Sequence, residues 1–154
     1  MEDTHIKLLL ERVSAGGIGP DEFIDVVEGL IAEQGKSVGH GCGETHTFTP
    51  GLYGRRFTMP AGTLLTSKIH NSEHQFVILS GCVSVWTKED GCIDLVAPHN
   101  GITKPGTRRL IIAHTDTVWM TFHATDETDL ELIEEKIIMK HSNPYLEGGV
   151  KCLG

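Results

Sequence analysis

The sequence predicts a mainly β, single-domain protein in which a closed sandwich or barrel lies between an N-terminal helical hairpin and a C-terminal helix. Seven or eight short β-like runs follow one another between residues 47 and 124, and this regular spacing is typical of closed β folds. Apolar residues at helical spacing occur before and after that region. The length of 154 residues suits one domain with a substantial core.

Residues 1–36 predict the helical hairpin. Apolar side chains recur at helical spacing in "HIKLLLERV", residues 5–13, and the glycine-rich "SAGGIG" ends that helix. Pro20 suits the first position of a second helix, for which Gly35 is a C-terminal cap. The apolar stripe of this second helix comprises Phe23, Val26, Val27, Leu30 and Ile31.

The predicted strands of residues 47–124 are runs rich in β-branched and aromatic residues, separated by turn signals. In chain order they are "GLYGRRFTM", "TLLTSKIH", "HQFVILSG", "CVSVWTKEDG", "CIDLVAP", "ITKPGT", "RRLIIAHTDT" and "VWMTFH". The dipeptide Asp90–Gly91 is typical of a tight hairpin turn. The region therefore predicts a succession of short strands in one barrel or sandwich.

Residues 125–140 predict the C-terminal helix. Thr128 and Glu131 match a capping box, in which the side chain of each residue bonds the backbone of the other. The apolar stripe of this helix comprises Leu130, Ile133 and Ile137. The tail of residues 141–154 is expected to pack loosely or to dock on a partner.

Charge and cysteine content narrow the class of protein. The net charge of −8 argues against non-specific nucleic-acid binding, which needs lysine and arginine to displace counterions. No apolar run approaches the ~18 residues of a membrane span, and the N-terminus lacks a signal-peptide pattern. We therefore expect a cytoplasmic protein with no membrane or nucleic-acid partner. The four cysteines show no CxxC spacing and are expected to be free thiols.

The segment "IHNSEH" places two of the nine histidines four residues apart. A helical zinc protease motif requires the glutamate directly after the first histidine, whereas Glu73 directly precedes the second. On a strand, His70, Ser72 and His74 would share one face, and Glu73 would face the other way. Two histidines inside a barrel are costly unless they bind a metal or a hydrogen-bond partner. Both interpretations are open from the spacing alone.

This segment resembles the first motif of the cupin family. Gly81 matches its closing glycine and Gly62 its opening glycine. His70 falls on the second histidine of the HxH pair and Lys68 on the first, while His74 stands where cupins usually carry a glutamate. The resemblance implies a double-stranded β-helix, or jelly-roll, barrel with an altered metal site.

"KPGTRR" resembles the second cupin motif through the turn of Pro105 and Gly106, with Arg109 at the usual histidine position. A third ligand must therefore come from another strand. His123, on one strand face with Trp119 and Thr121, is the predicted third ligand, because its strand should run beside the motif strands. The less favoured candidate, His114, lies near a turn.

Residues 47–138 also resemble a narrower group, the small single-domain cupins common in bacteriophage genomes and in some bacteria. The resemblance rests on the order of "FTPGLYGRRFTMPAGT", "IHNSEH", "KPGTRR" and "DTVWMTFHATDETDLELIEEKI". It implies a fold and a metal but no particular reaction. A phage-infected host cell is thus one expected location.

A site of His70, His74 and His123 would leave coordination places for water or substrate, and imidazole ligands do not distinguish Zn, Fe, Mn, Ni or Cu. Arg109 could bind a carboxylate or phosphate, or could form a structural ion pair. Together with Arg109, Trp119 and Thr121 are the predicted walls of a substrate pocket, although Trp119 could equally be core. Glu73 is, with Arg109, a candidate catalytic group.

Two further clusters carry weaker signals. "HGCGETH" contains His40, Cys42, Glu44 and His46 but matches no strong zinc signature. Arg55 and Arg56 of "YGRR" are expected to lie on a solvated strand face.

Three functions fit the sequence. The first is a small metal-dependent enzyme acting on an anionic small molecule, as a dioxygenase, isomerase or lyase. The second is a non-catalytic, phage-associated binding or assembly module with a structural metal. The third is a small-molecule sensor or scavenger. Cupins often pair through strands, so the resemblance also implies a homodimer.

Overall fold

The structure is a computed structural model that describes residue 11 and residues 15–33 and 41–146. These residues form two helices and nine strands. The helices are α1 (Pro20–Glu33) and α2 (Leu130–Ile137). The strands are β1 (Gly43–Thr49), β2 (Leu52–Met59), β3 (Leu64–Thr66), β4 (His74–Ser80), β5 (Cys82–Thr87), β6 (Gly91–Val96), β7 (His99–Thr103), β8 (Leu110–Ala113) and β9 (Thr117–Ala124).

The strands form two antiparallel sheets. The larger sheet has the order β1-β2-β9-β4-β7, and the smaller has the order β3-β8-β5-β6. Residues of both sheets, such as Ile78 of β4 and Val83 of β5, are fully buried in one hydrophobic cluster. The prediction of a mainly β fold with helices at either side is confirmed.

Strand β1 begins before the predicted start of the barrel at residue 47. It pairs with β2 along its whole length, from Gly43 opposite Thr58 to Thr49 opposite Leu52. It lies at the edge of the larger sheet, and nearly all of its residues are exposed. An edge strand buries few side chains, so it carries no apolar alternation from which it could be predicted.

The expectation that His70 and His74 lie on one strand is wrong. Strand β3 ends at Thr66 and β4 begins at His74. His70 forms only an isolated bridge with Ile138, and Ser72 is exposed instead of facing inward. The chain bends here because Asn71 is bonded to the end of α2, through its N–H to the Ile137 carbonyl at 2.9 Å and its side chain to the Lys136 carbonyl.

Helix α1 covers the smaller sheet and begins at Pro20, as predicted. The ring of Phe23 meets Trp86 of β5 edge to face, with 4.6 Å between ring centroids. Ile24 and Val27 are also buried, so the helix completes the hydrophobic core. The predicted helix over residues 5–13 and the cap at Gly35 lie outside the described residues.

Helix α2 is shorter than the predicted range of 125–140, and its cap differs from the predicted one. Asp129, not Thr128, is the N-cap residue, and its carboxylate accepts hydrogen bonds from the N–H groups of Glu131 and Leu132. A capping carboxylate is also favoured by the positive end of the helix dipole. The predicted stripe is present, with Ile133 buried.

The start of the C-terminal tail docks on helix α1 of the same chain. This corrects the expectation of a segment that is loose or bound to a partner. His141 Nε2 lies 2.8 Å from the Asp25 carboxylate. Asn143 donates to Glu28 at 2.9 Å and to the Asp25 carbonyl at 3.0 Å. Arg108 completes this cluster, with its guanidinium 2.6 Å from Asp25 and 2.9 Å from Glu28.

Two smaller predictions concern single features. The hairpin at Asp90–Gly91 is confirmed, since β5 and β6 pair around it and Gly91 has a φ of 68°. Cys42, Cys82 and Cys92 are free thiols, as expected.

Among the described helices, none combines the length and apolar character that crossing a membrane requires.

Candidate metal centre and pocket

Three histidines converge at one end of the barrel. His70, His74 and His123 each present a ring nitrogen such that these atoms all lie within 4.8 Å of one another. Ring centroids are 4.5 Å apart for His70 and His74, 4.3 Å for His74 and His123, and 5.2 Å for His70 and His123. In the described part of the chain, this is the one group of metal-ligating side chains brought together in this way.

The pairing of β4 with β9 brings two of these histidines together. Gln75 pairs with Phe122, so His74 at the start of β4 comes beside His123 near the end of β9. His70 reaches the same place through the bridge to Ile138, at the end of α2. The three side chains therefore depend on three separate parts of the fold.

Burial keeps the three imidazoles neutral. Burial, together with the charges of His74 and His123, lowers the pKa of His70 from 6.5 to about 3. Burial likewise lowers the pKa of His123 to about 4. It also lowers the pKa of His74, although a hydrogen bond to the Ser72 carbonyl opposes this shift. Neutral imidazole is the form that binds a metal ion.

The ring nitrogens of His74 and His123 are arranged as expected for metal ligands. His123 Nδ1 is fully buried and has no hydrogen-bond partner in the described structure, which is costly unless the atom has a ligand. His74 Nδ1 faces the Ser72 carbonyl at 3.3 Å, so its Nε2 is the nitrogen left for a metal. A metal-bound histidine typically makes such a bond through its other nitrogen.

The two less favoured candidates lie elsewhere. His114 is exposed at the end of β8, and its Nε2 is 2.6 Å from the Ser84 hydroxyl. Glu73 is exposed, outside the residues that line the pocket beside the triad. The structure therefore brings neither residue to the histidine triad.

A cavity of about 460 Å³ opens beside the triad. The predicted pocket residues Arg109, Trp119 and Thr121 all line it, as do the three histidines. Thr121 donates or accepts a hydrogen bond with His123 Nε2 at 3.1 Å. Trp119 is buried and stacks on Phe76, with 4.8 Å between centroids, so it belongs both to the core and to the cavity wall.

Arg109 is held over aromatic rings instead of a carboxylate. Its guanidinium carbon lies 4.9 Å from the Phe76 ring centroid and 5.9 Å from that of Trp119. Burial lowers the pKa of Arg109, against the opposing charges of Asp90 and Glu89. Within the described structure, its side chain makes neither a hydrogen bond nor an ion pair. The alternative of a structural ion pair therefore has no support.

A polar chain of four residues, which the sequence did not predict for this site, lines the same cavity. Arg55 Nε donates to Glu44 at 2.6 Å, and Glu44 lies 3.5 Å from His46 Nε2. His46 Nδ1 is hydrogen-bonded to the Tyr53 hydroxyl at 2.6 Å. The Tyr53 ring stacks on His123, with 5.7 Å between centroids. Arg55 thus lines the cavity, which corrects the expectation for that residue, whereas Arg56 is exposed as expected.

This chain affects the charges at the cavity rim. Burial disfavours ionisation of Glu44, but the hydrogen bond and charge of Arg55 lower its pKa overall. Burial raises the pKa of Tyr53 to about 12. The one sequence signal for these four residues is that Glu44 and His46 stand two positions apart in "GETH". On a strand such residues share a face, but the sequence alone did not show that β1 is a strand.

The fold resembles solved structures of low sequence identity. The chain is similar to salicylate 1,2-dioxygenase from Pseudoaminobacter salicylatoxidans, with a TM-score of 0.51 and 14% identity over 71% of this chain and 31% of the dioxygenase. It is also similar to a cupin superfamily protein from Desulfitobacterium hafniense, with a TM-score of 0.48 and 13% identity over 59% of this chain and 84% of that one. No protein-family model and no curated protein matches the chain.

These likenesses concern the fold. The two antiparallel sheets and the order of their strands fit the double-stranded β-helix that the sequence resemblance to cupins implies, and the dioxygenase structure shares this fold. At one end of this fold a histidine triad lies beside a cavity. The class of protein is therefore a cupin-fold protein with a candidate metal centre.

Proposed function

We propose that this chain is a small metalloprotein that binds a divalent transition metal through His70, His74 and His123 and acts on a small anionic molecule in the adjoining cavity. The observation that carries the proposal is the meeting of three neutral imidazoles, one of them with a buried nitrogen that has no hydrogen-bond partner among the described residues. A metal ion would satisfy all three rings at once.

A divalent ion bound by three imidazoles supplies a Lewis-acid or redox centre with open coordination places. Zn, Fe, Mn, Ni and Cu all accept imidazole ligands. The identity of the metal would decide whether the reaction is of dioxygenase, isomerase or lyase type. The residues of the chain would supply the position of the ligand and the exclusion of water.

Arg109 supports the anionic character of the ligand. A guanidinium binds carboxylates and phosphates through paired hydrogen bonds. The other basic residues of the cavity, Arg55 and Lys68, are paired with Glu44 and Glu134. Arg109 has no such partner among the described residues, which leaves its donors for a ligand.

The cavity itself favours an enzyme, or a sensor or scavenger, over a module with a sealed structural metal. A structural metal site is usually closed by four protein ligands, whereas a catalytic one keeps an open place. The three imidazoles here face a cavity of about 460 Å³. An enzyme and a sensor or scavenger would both use the triad and the cavity, and turnover of a bound small molecule distinguishes them.

Elemental analysis of the purified protein tests the metal site. We expect about one equivalent of transition metal per chain in protein expressed with metals available, and its loss in His74→Ala and His123→Ala. The matched control is His114→Ala, which removes an imidazole outside the triad and should retain the metal. Circular dichroism would show that the variants are folded.

Two results would contradict this assignment. One is wild-type protein that contains no transition metal after expression with metals available. The other is folded His74→Ala or His123→Ala protein that keeps the wild-type stoichiometry.

A further inference from the structure

Helix α2 turns an apolar face toward the cavity. Leu130, Ile133, Glu134 and Ile137 all line the cavity, and their spacing places them on one face of the helix. Ile133 is only 2% exposed, yet among the described residues it is not part of the hydrophobic cluster formed by α1 and the two sheets. Ile133 is therefore buried in the cavity wall and not in the main hydrophobic core.

The barrel supplies a second apolar wall. Met59, Leu65 and Ile111 line the same cavity and are at most 9% exposed. These side chains and the apolar residues on the inner face of α2, Leu130, Ile133 and Ile137, offer no hydrogen bonds to a guest. An apolar group placed between them would lose contact with water at no cost in unpaired polar atoms.

The charges of the cavity leave one site for an anion. Five of its lining residues carry full charges: Glu44, Arg55, Lys68, Arg109 and Glu134. Arg55 is paired with Glu44, and Lys68 with Glu134. Among the charged residues that line the cavity, only Arg109 makes no ion pair with a described residue. One carboxylate on the guest would therefore pair the remaining cation of the cavity wall. A phosphate monoester carries more charge than that at pH 7.

We infer that the ligand of this cavity is an amphipathic monocarboxylate, whose carboxylate binds Arg109 and whose apolar body lies between α2 and the barrel wall. The carboxylate part of this inference rests on the proposed function, which assigns an anion to Arg109. The apolar part rests on the cavity walls alone. Helix α2 is then part of the binding site, with Ile133 as a residue that determines specificity for the apolar body.

Calorimetric titration of the metal-loaded full chain with a homologous series tests this ligand class. Acetate, butanoate and hexanoate should bind with an affinity that rises about fourfold for each added methylene, as burial of that group predicts. Hexylamine, which has the same body and the opposite charge, should not bind. On the metal-free chain, where Arg109 is the one cation of the cavity wall outside an ion pair with a described residue, hexyl phosphate should bind more weakly than hexanoate.

Variants separate the two halves of the site. Arg109→Gln should lower the affinity for hexanoate about tenfold or more. Ile133→Ala should lower the affinity for hexanoate several-fold and leave that for acetate unchanged. The matched control is Leu132→Ala, since Leu132 lies on the same helix but is 43% exposed and does not line the cavity. Leu130→Ser at the cavity rim tests the same wall if Ile133→Ala does not fold.

The inference is overturned if acetate and hexanoate bind equally, if hexylamine binds as well as hexanoate, or if Ile133→Ala and Leu132→Ala act alike. Tighter binding of hexyl phosphate than of hexanoate to the metal-free chain would overturn the choice of carboxylate. Repeating the titration on metal-free chain separates this inference from the proposed function. Hexanoate binding without any metal uptake would support the anion site alone, whereas metal uptake without hexanoate binding would refute only the ligand class.

Discussion

At the scale of single residues, the candidate site consists of three histidines that burial keeps neutral. His70, His74 and His123 were predicted from the sequence, but the expectation that His70 and His74 share one strand was wrong. Their low pKa values follow from burial, which no spacing of residues in a sequence reveals. Arg109 was predicted as an anion site, but only the structure shows that it makes no ion pair with any described residue and lies over aromatic rings.

The low pKa values of the triad predict that the metal-free protein loses stability in acid. An unfolded histidine titrates near 6.5, whereas folded His70 and His123 titrate near 3 and 4. Between these values the unfolded chain binds more protons, so the free energy of unfolding falls as pH decreases from about 6.5 toward 4. Urea denaturation of metal-free protein at pH 7.5 and pH 5.0 measures this difference.

A double variant gives the control for this pH effect. Replacing His70 and His123 with Gln removes both titrating groups, so the free energy of unfolding should depend less on pH between these two conditions. A wild-type free energy of unfolding that is equal at pH 7.5 and pH 5.0 would contradict the prediction.

At the scale of structural elements, local signals predicted most strands and both described helices. Turn glycines and apolar alternation are local properties, so β2, β5, β6 and β9 could be recognised from their own residues. Strand β1 could not, because its partner β2 holds it at the edge of the sheet. The cap of α2 was misassigned by one residue, because Thr128 and Asp129 are both good capping residues.

Two motif glycines provide a prediction at this scale. Gly81 and Gly62 both have positive φ values, of +98° and +84°. A Cβ added at Gly81 would lie 2.6 Å from the Asp116 carbonyl oxygen, whereas at Gly62 it would meet nothing within 4 Å. Gly62→Ala should therefore cost only the backbone strain, about 1–2 kcal/mol, and Gly81→Ala clearly more.

Urea denaturation of the two alanine variants measures the difference in their free energies of unfolding. The pair is its own control, since both substitutions add the same methyl group at a left-handed position. Equal destabilisation by the two variants would show that the close approach of β9 to Gly81 does not determine this turn.

At the scale of the whole molecule, a buried cluster joins the segments that flank the barrel. Asp25 and Glu28 of α1, Arg108 before β8, and His141 and Asn143 of the tail form one network of hydrogen bonds and ion pairs. Thr66 of β3 also donates to Glu28, at 2.8 Å. Helix α1, the barrel and the start of the C-terminal tail are therefore held together around Arg108, which is the neighbour of Arg109 in the chain.

Arg108→Met should destabilise the whole fold. The variant leaves the carboxylates of Asp25 and Glu28, whose side chains are 10% and 6% exposed, without their shared cation. Breaking a buried ion pair from one side costs about 3–5 kcal/mol, measurable as a lower urea midpoint. Lys88→Met, which breaks the exposed pair with Asp21, is the matched control and should have little effect. Equal effects of the two variants would contradict a stabilising role of the Arg108 cluster.

Other predictions for the whole molecule stay predictions. The sequence resemblance implies a homodimer and a phage-associated setting, and size-exclusion chromatography with light scattering would measure the first. The cupin fold is common to the enzyme and to the non-catalytic hypotheses, because function depends on the site and not on the fold.

The sequence by itself determined the class of fold, the residues of the histidine triad and the basic residue of the pocket. These follow from patterns that are read along the chain, namely strand alternation, turn glycines and motif order. The tertiary structure alone decided that His46, Tyr53 and Arg55 line the same cavity, that Arg109 makes no ion pair with a described residue, and that α2 forms one wall. Such properties depend on which strands pair and how deeply each side chain is buried, and distant parts of the chain determine both.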